Sequence, residues 1–204
     1  MANIGFTRED FEVFGIPTFP ERMQGIKERV RPKLTALGED LQPTLKRLAK
    51  SDVFPHVAKH ARRTVNPPPE TWVAFGPSAR GYKKYGYFGL VLSRGGLHAR
   101  IVVKDEAPDR PQMAKVLLDR ADVLAKVFAQ QTVARYDRWE YTGFPALVTP
   151  TADFWQSVAE ALAKKTGGLD VGLGWPVARA VKLTDKQVLA AFESLLPLYE
   201  ITRA

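Results

Sequence analysis

The chain of 204 residues is 45% apolar and 25% charged, an ordinary globular balance that excludes a disordered or fibrous protein. It has no cysteine, which excludes disulfide scaffolds, thiolate metal sites, iron–sulfur clusters and cysteine nucleophiles. Thirty Lys and Arg against 22 Asp and Glu leave a net charge of +8, which favours anionic partners such as nucleic acid, phosphorylated metabolites or a membrane surface. The first residues run from Met1 to Phe6 straight into Thr7-Arg8-Glu9-Asp10 with no apolar stretch of signal-peptide length, and no later stretch approaches a membrane span. A cytoplasmic protein without a membrane partner is expected.

Thr7 and Asp10 form a capping-box pattern that opens a short helix carrying Phe11 and Phe14, and Pro17 and Pro20 separate it from the next. In that second helix Met23, Ile26, Val30, Leu34 and Leu37 recur at steps of three and four, giving one buried stripe. Pro32 should kink it, Gly38 should cap its C-terminus, and Leu41–Ala49 should add a turn or two. The period then changes. Residues 56–63 read as extended, 71–75 are rich in β-formers, and 87–92 and 97–103 are strands joined by Ser93-Arg94-Gly95-Gly96, whose glycines supply the positive φ of a hairpin. Leu97, Ala99, Ile101 and Val103 alternate with His98, Arg100, Val102 and Lys104, predicting a sheet with a core side toward helices and a wet, basic side. Further helices are expected over 111–130, 151–165 and 184–196, with weaker strand candidates at 132–142 and 169–177. The reading is α+β: one domain over residues 1–204, an antiparallel sheet of four to six strands backed by helices, with helical N- and C-terminal segments.

The charge is not spread evenly. Residues 56–104 hold nine cations, Lys59, Arg62, Arg63, Arg80, Lys83, Lys84, Arg94, Arg100 and Lys104, against Glu70 alone, so the whole excess belongs to the sheet region. If 56–63 is extended, His56, His60 and Arg62 share one face and Lys59 and Arg63 the other. Residues 80–88 interleave cations with tyrosines and glycines, a composition that suits nucleic acid because cations meet phosphates while aromatic faces stack on bases. The candidate anion- or nucleic-acid-binding residues are His60, Arg62, Arg63, Arg80, Tyr82, Lys83, Lys84, His98 and Arg100, and His60, Arg62, Arg80 and Lys83 are expected on one surface. A solvated basic face with no ligand accounts for the same residues.

No metal site is expected: on a strand His56 and His60 lie about 13 Å apart at ~3.3 Å per residue, too far to share one ion. No phosphate loop or dinucleotide fingerprint occurs, since Gly172-Leu173-Gly174 lacks a third glycine and Lys164 to Gly168 reads as a glycine-terminated helix end. The acids Asp105, Glu106 and Asp109 sit where they favour the N-terminus of the following helix. No cofactor is called for.

Several blocks occur in one order: Phe6-Thr7 with Asp10-Phe11 and Val13-Phe14; Arg31-Pro32-Lys33-Leu34 with Ala36-Leu37-Gly38; His56 to Arg63; Val65-Asn66-Pro67-Pro68; Thr71 to Phe75; and Arg80-Gly81-Tyr82-Lys83-Lys84. Over about residues 6–108 they resemble the YktB-like family of uncharacterised bacterial cytosolic proteins. The resemblance implies an antiparallel sheet backed by helices, and it implies no reaction, cofactor or catalytic residue. Two functional readings stand open. One is a non-catalytic module whose basic sheet face and 80–87 loop hold nucleic acid or another polyanion. The other is an enzyme acting on a phosphorylated small molecule, with His98 or His60 as proton carrier and Arg62, Arg63 and Arg100 gripping phosphate.

Overall fold

The structure is a computed structural model and describes residues 3–141 and 143–203. Met1, Ala2, Thr142 at the end of the expected strand 132–142, and Ala204 lie outside the described residues. The elements run α1 (Arg8–Glu12), α2 (Phe19–Gly25), α3 (Arg31–Ala49), β1 (Phe54–Val57), β2 (Glu70–Gly76), β3 (Gly86–Ser93), β4 (Gly96–Val103), α4 (Arg110–Asp119), α5 (Ala121–Val127), β5 (Ala134–Arg135), α6 (Ala152–Ala163), β6 (Leu169–Pro176), α7 (Val177–Ala180), α8 (Asp185–Ser194) and α9 (Leu196–Ile201). Six strands form one antiparallel sheet in the order β1-β2-β3-β4-β6-β5. The fold is α+β, with helices at both ends of the chain.

Thr7 and Asp10 make the capping box of α1, and Asp10 also takes an ion pair from Lys33, which ties α1 to α3. The long helix does not stop at Gly38. A π-helical turn, Ile26–Val30, joins α2 to α3, and Pro32 sits in the first turn beyond it. The wider turn accommodates a proline that cannot donate and that crowds the carbonyl four residues back. Gly38 is mid-helix because a Cβ there would meet Pro55 at 3.0 Å, so the missing side chain lets β1 lie close against α3. Lys50, in the left-handed region, ends the helix instead. The expected helix over 111–130 is two helices that meet at Arg120. In the 93–96 hairpin only Gly96 has positive φ, whereas Gly95 is small because a Cβ would strike the carbonyl of Gly143.

One face of the sheet carries the main core. Val73, Phe75, Phe88, Leu90, Leu92, Leu97, Ala99, Ile101 and Val103 pack with Leu34, Leu41 and Leu45 of α3, Trp155 of α6 and Phe192 of α8. The other face corrects an expectation, because it is not wet: every residue of β3 and β4 is buried. Among the described residues of the segment 133–148 only Ala134–Arg135 are strand, and the segment serves as a strap that lays Tyr136, Trp139 and Phe144 against His98, with ring centroids 5.1–5.6 Å apart. Glycine makes the room, since a Cβ on Gly174 would lie 2.7 Å from His98 Nδ1 and 2.9 Å from Phe144 Cζ. Alternation in β4 therefore separates an apolar core from a second, polar one.

Candidate functional site

β1 ends at Val57, so residues 58–63 are not extended as expected. Ala58 still donates to Trp72 O, then His60 adopts φ 52° and the Arg63 amide closes a turn onto His60 O. The turn swings the basic run over the outer face of β2. Ala58 to Arg63 line a cavity of about 310 Å³ with Trp72, Tyr82 and Lys83, and His56, Ser78 and Arg80 to Tyr85 line an adjoining one of about 470 Å³. Tyr82 and Lys83 belong to both. The 56–63 and 80–85 clusters, separated in sequence, thus share a wall, which brings His60, Arg62, Arg63 and Lys83 to one cavity and Arg80, Tyr82, Lys83 and Lys84 to its neighbour.

That wall is held from behind. Tyr82 packs edge-on against Tyr87 at 4.8 Å, sits beside His56 at 5.4 Å and accepts a hydrogen bond from Trp72 Nε1 at 3.1 Å. Its phenol is raised above the ordinary value by burial. His56 Nε2 donates to Ser78 O, which anchors the 77–85 loop. His60 bonds Thr71 Oγ1 at 3.0 Å and meets Trp72 edge-on, and burial, with help from Arg63 and Arg31, depresses its imidazole to about 4. It is neutral at pH 7 and adds a polar edge rather than charge. Lys83 is paired with Glu106 at 2.9 Å. Among the described residues the exposed cations Lys59, Arg62, Arg63, Arg80 and Lys84 make no ion pair.

His98 and Arg100 leave this surface. Both are fully buried, at 0% and 1% exposure, beneath the strap. Tyr136 donates to Leu173 O, so its oxygen takes the proton on His98 Nδ1, and His98 Nε2 accepts from Ser93 Oγ at 3.0 Å. Burial and the nearby Arg100 hold this imidazole far below its usual value, so it stays neutral. Arg100 stacks on Tyr136, 3.6 Å from the ring centroid, and meets Glu70 Oε2 at 2.9 Å and Asp170 Oδ2 at 3.5 Å. Burial works against its charge, but Glu70 and then Asp170 outweigh that and hold it above the ordinary value. Asp170 is pushed up to about 6 by burial, against the pull of Arg100 and Lys104.

Sequence reasoning missed the members of this second cluster: Glu70, Asp170, Tyr136 and Tyr141. Two of them left a signal. Glu70 is the one acid in the basic stretch 56–104, and Asp170 is the one charge in the apolar strand LDVGLGWP.

Among the described residues no helix is long and apolar enough to cross a membrane, and no group of three His, Cys, Asp or Glu is placed to hold a metal ion. A family profile described as a domain of unknown function, DUF1054, matches residues 6–199, well beyond the stretch in which the sequence blocks carry the resemblance. A UPF0637 protein of Lysinibacillus sphaericus is 33% identical over 209 positions, covering 98% of this chain and 97% of the relative. One from Bacillus mycoides is 37% identical over 203 positions, covering 96% of each, and one from Bacillus velezensis is 44% identical over 126 positions, covering 62% of this chain and 60% of the relative. The chain belongs to the DUF1054 family, the YktB-like UPF0637 proteins.

Proposed function

We propose that the protein is a binding module for single-stranded nucleic acid or a comparable polyanion, held across the two adjoining cavities that share Tyr82. One observation carries the reading: five exposed cations that have no ion-pair partner among the described residues surround two concave sites whose walls include Trp72, Tyr82 and Tyr85. Cations without acidic partners are free to replace the counterions of phosphates, and aromatic walls next to them suit unstacked bases. The neutral His60 offers a hydrogen-bonding edge in the same cavity. The alternative enzyme on a phosphorylated small molecule has less support, because Arg100 is occupied by two carboxylates and His98 is sealed among aromatic rings.

Fluorescence anisotropy with a labelled single strand over a salt series tests the proposal. Log affinity should fall linearly with log salt by roughly 0.7 per phosphate neutralised on a single strand. Arg62→Ala with Arg63→Ala should weaken binding and lower that slope by about one unit if one or two phosphate contacts are lost. Tyr85→Ala, at a residue 41% exposed and so of little structural weight, should cost ~1–3 kcal/mol with the slope unchanged if a base stacks there. No binding at low salt, or a double-arginine variant that binds as tightly as the parent, rejects the reading.

A further inference from the structure

The two basic cavities repeat one set of parts. The 58–63 cavity has Trp72 as an aromatic wall of its own and Lys59, Arg62 and Arg63 as cations of its own. In the 80–85 cavity Tyr85 takes the first role and Arg80 and Lys84 the second. Among the described residues Tyr82 and Lys83 alone line both. At about 310 and 470 Å³, each cavity is of a size that holds one small organic molecule. An aromatic pocket, a central cation and a second aromatic pocket match the repeat of a single strand, in which one phosphodiester joins two bases.

The wall between the cavities is firm on its aromatic side and loose on its cationic side. Tyr82 is held by the hydrogen bond from Trp72 Nε1 at 3.1 Å and by its edge-on contact with Tyr87. Lys83 has no such anchor. Its ammonium pairs with Glu106 at 2.9 Å, and the two side chains are 46% and 39% exposed. An ion pair so exposed is weak, because water screens both charges, so a phosphate can take the ammonium over from Glu106. The one cation common to both cavities is therefore available to a group lying between them.

We infer that this surface binds a single strand as a dinucleotide unit: one base enters each cavity, on either side of Tyr82, and the phosphodiester that joins them meets Lys83. The inference rests on the reading of the surface as a polyanion site and narrows the ligand to one that carries bases. A bare polyphosphate would use the cations and leave Trp72 and Tyr85 without partners. A mononucleotide would fill one cavity and leave the other open.

Calorimetry and backbone amide NMR of the full chain at low salt test it, with thymidine 5′-monophosphate, a 5′-phosphorylated thymidine dinucleotide, the abasic counterpart of that dinucleotide and a thymidine octanucleotide as probes. The monophosphate should bind twice per chain and the dinucleotide once, shifting the amides of Trp72 and Tyr85 together. The dinucleotide should bind roughly 5- to 150-fold more tightly than the monophosphate, the equivalent of ~1–3 kcal/mol for a second stacked base. Its abasic counterpart should bind about tenfold more weakly or worse. Glu106→Gln releases Lys83 and should tighten the dinucleotide severalfold. Tyr85→Ala should bring the dinucleotide down to the affinity of the monophosphate. The parent series decides even where a variant fails to fold. A dinucleotide that binds no more tightly than the monophosphate, or that binds twice per chain, or an abasic strand that binds as well, overturns the inference, while binding of the octanucleotide keeps the polyanion reading. An octanucleotide that does not bind rejects that reading and this inference with it.

Discussion

Replacing Arg100 with methionine should be among the most damaging single changes this protein can suffer. Methionine fills most of the volume but leaves Glu70 and Asp170, 12% and 15% exposed, without the guanidinium that both of them meet. Removing one member of a buried ionic cluster costs ~3–5 kcal/mol, mainly through the charge left behind. A protein of this size has a total stability of about 5–15 kcal/mol, so the variant should be marginal at 25 °C. At about 2–4 °C per kcal/mol for a chain of 150–250 residues, its melting temperature should drop by roughly 6–20 °C. Urea unfolding followed by circular dichroism and by tryptophan fluorescence measures it, and an unchanged slope against urea would show that the unfolded state is not the cause. The cost belongs to the stranded carboxylates, so Glu70→Gln and Asp170→Asn added to Arg100→Met should restore most of it. An Arg100→Met variant within 1 kcal/mol of the parent, or a triple variant no better than the single, refutes the account of the second core.

Acid should unfold the protein partly through its imidazoles. The depressed values of His60, about 4, and of His98 mean that the unfolded chain binds protons the folded one refuses, so this stability is full above pH 6.5 and is lost as the pH falls toward 4. Asp170 runs the other way: its raised value, about 6, makes the fold gain as pH falls from 6 toward 3.8. Urea midpoints measured from pH 7.5 to 4 should therefore decline more steeply in Asp170→Asn than in the parent, and equal slopes would contradict the sign assigned to Asp170. Gly174→Ala should cost ~1–3 kcal/mol, because the new methyl lands 2.7 Å from His98 Nδ1 and 2.9 Å from Phe144. Limited proteolysis should then cut within 137–147, whereas an intact strap would show that the ring positions tolerate the methyl.

Local signals carried the legible part of the fold. The α1 capping box, the apolar stripe of α3 and the alternation of β4 each depend on neighbours within a few residues, and the elements form where those signals lie. Gly38 misleads because a helix-ending glycine and a close-approach glycine look alike until β1 is known to pass beside it. The basic face of β4 misleads for a similar reason. Polar alternation predicts solvent, but a strap without periodicity, recruited from 133–148, seals it, and no local pattern announces such a cover. The exposed cations of 59–84 were legible as a cluster, while the turn at His60 that aims them was not, because a positive φ at histidine has no sequence signature.

The strand order has a temporal side. β1 to β4 follow one another as a meander, but the partner of β4's free edge is β6, paired along the whole strand from Gly96 opposite Pro176 to Val103 opposite Leu169. At synthesis rates of about 5–20 residues per second, that edge waits several seconds for its neighbour. During that time a long, flat, mostly apolar row of unpaired amides and carbonyls is open to any other extended segment. Arg100 lies in the middle of it, and a cation on a nascent edge hinders stacking with a second copy of itself. A charged residue that is buried in the finished molecule thus acts, while the chain is still growing, as the guard on an open flank.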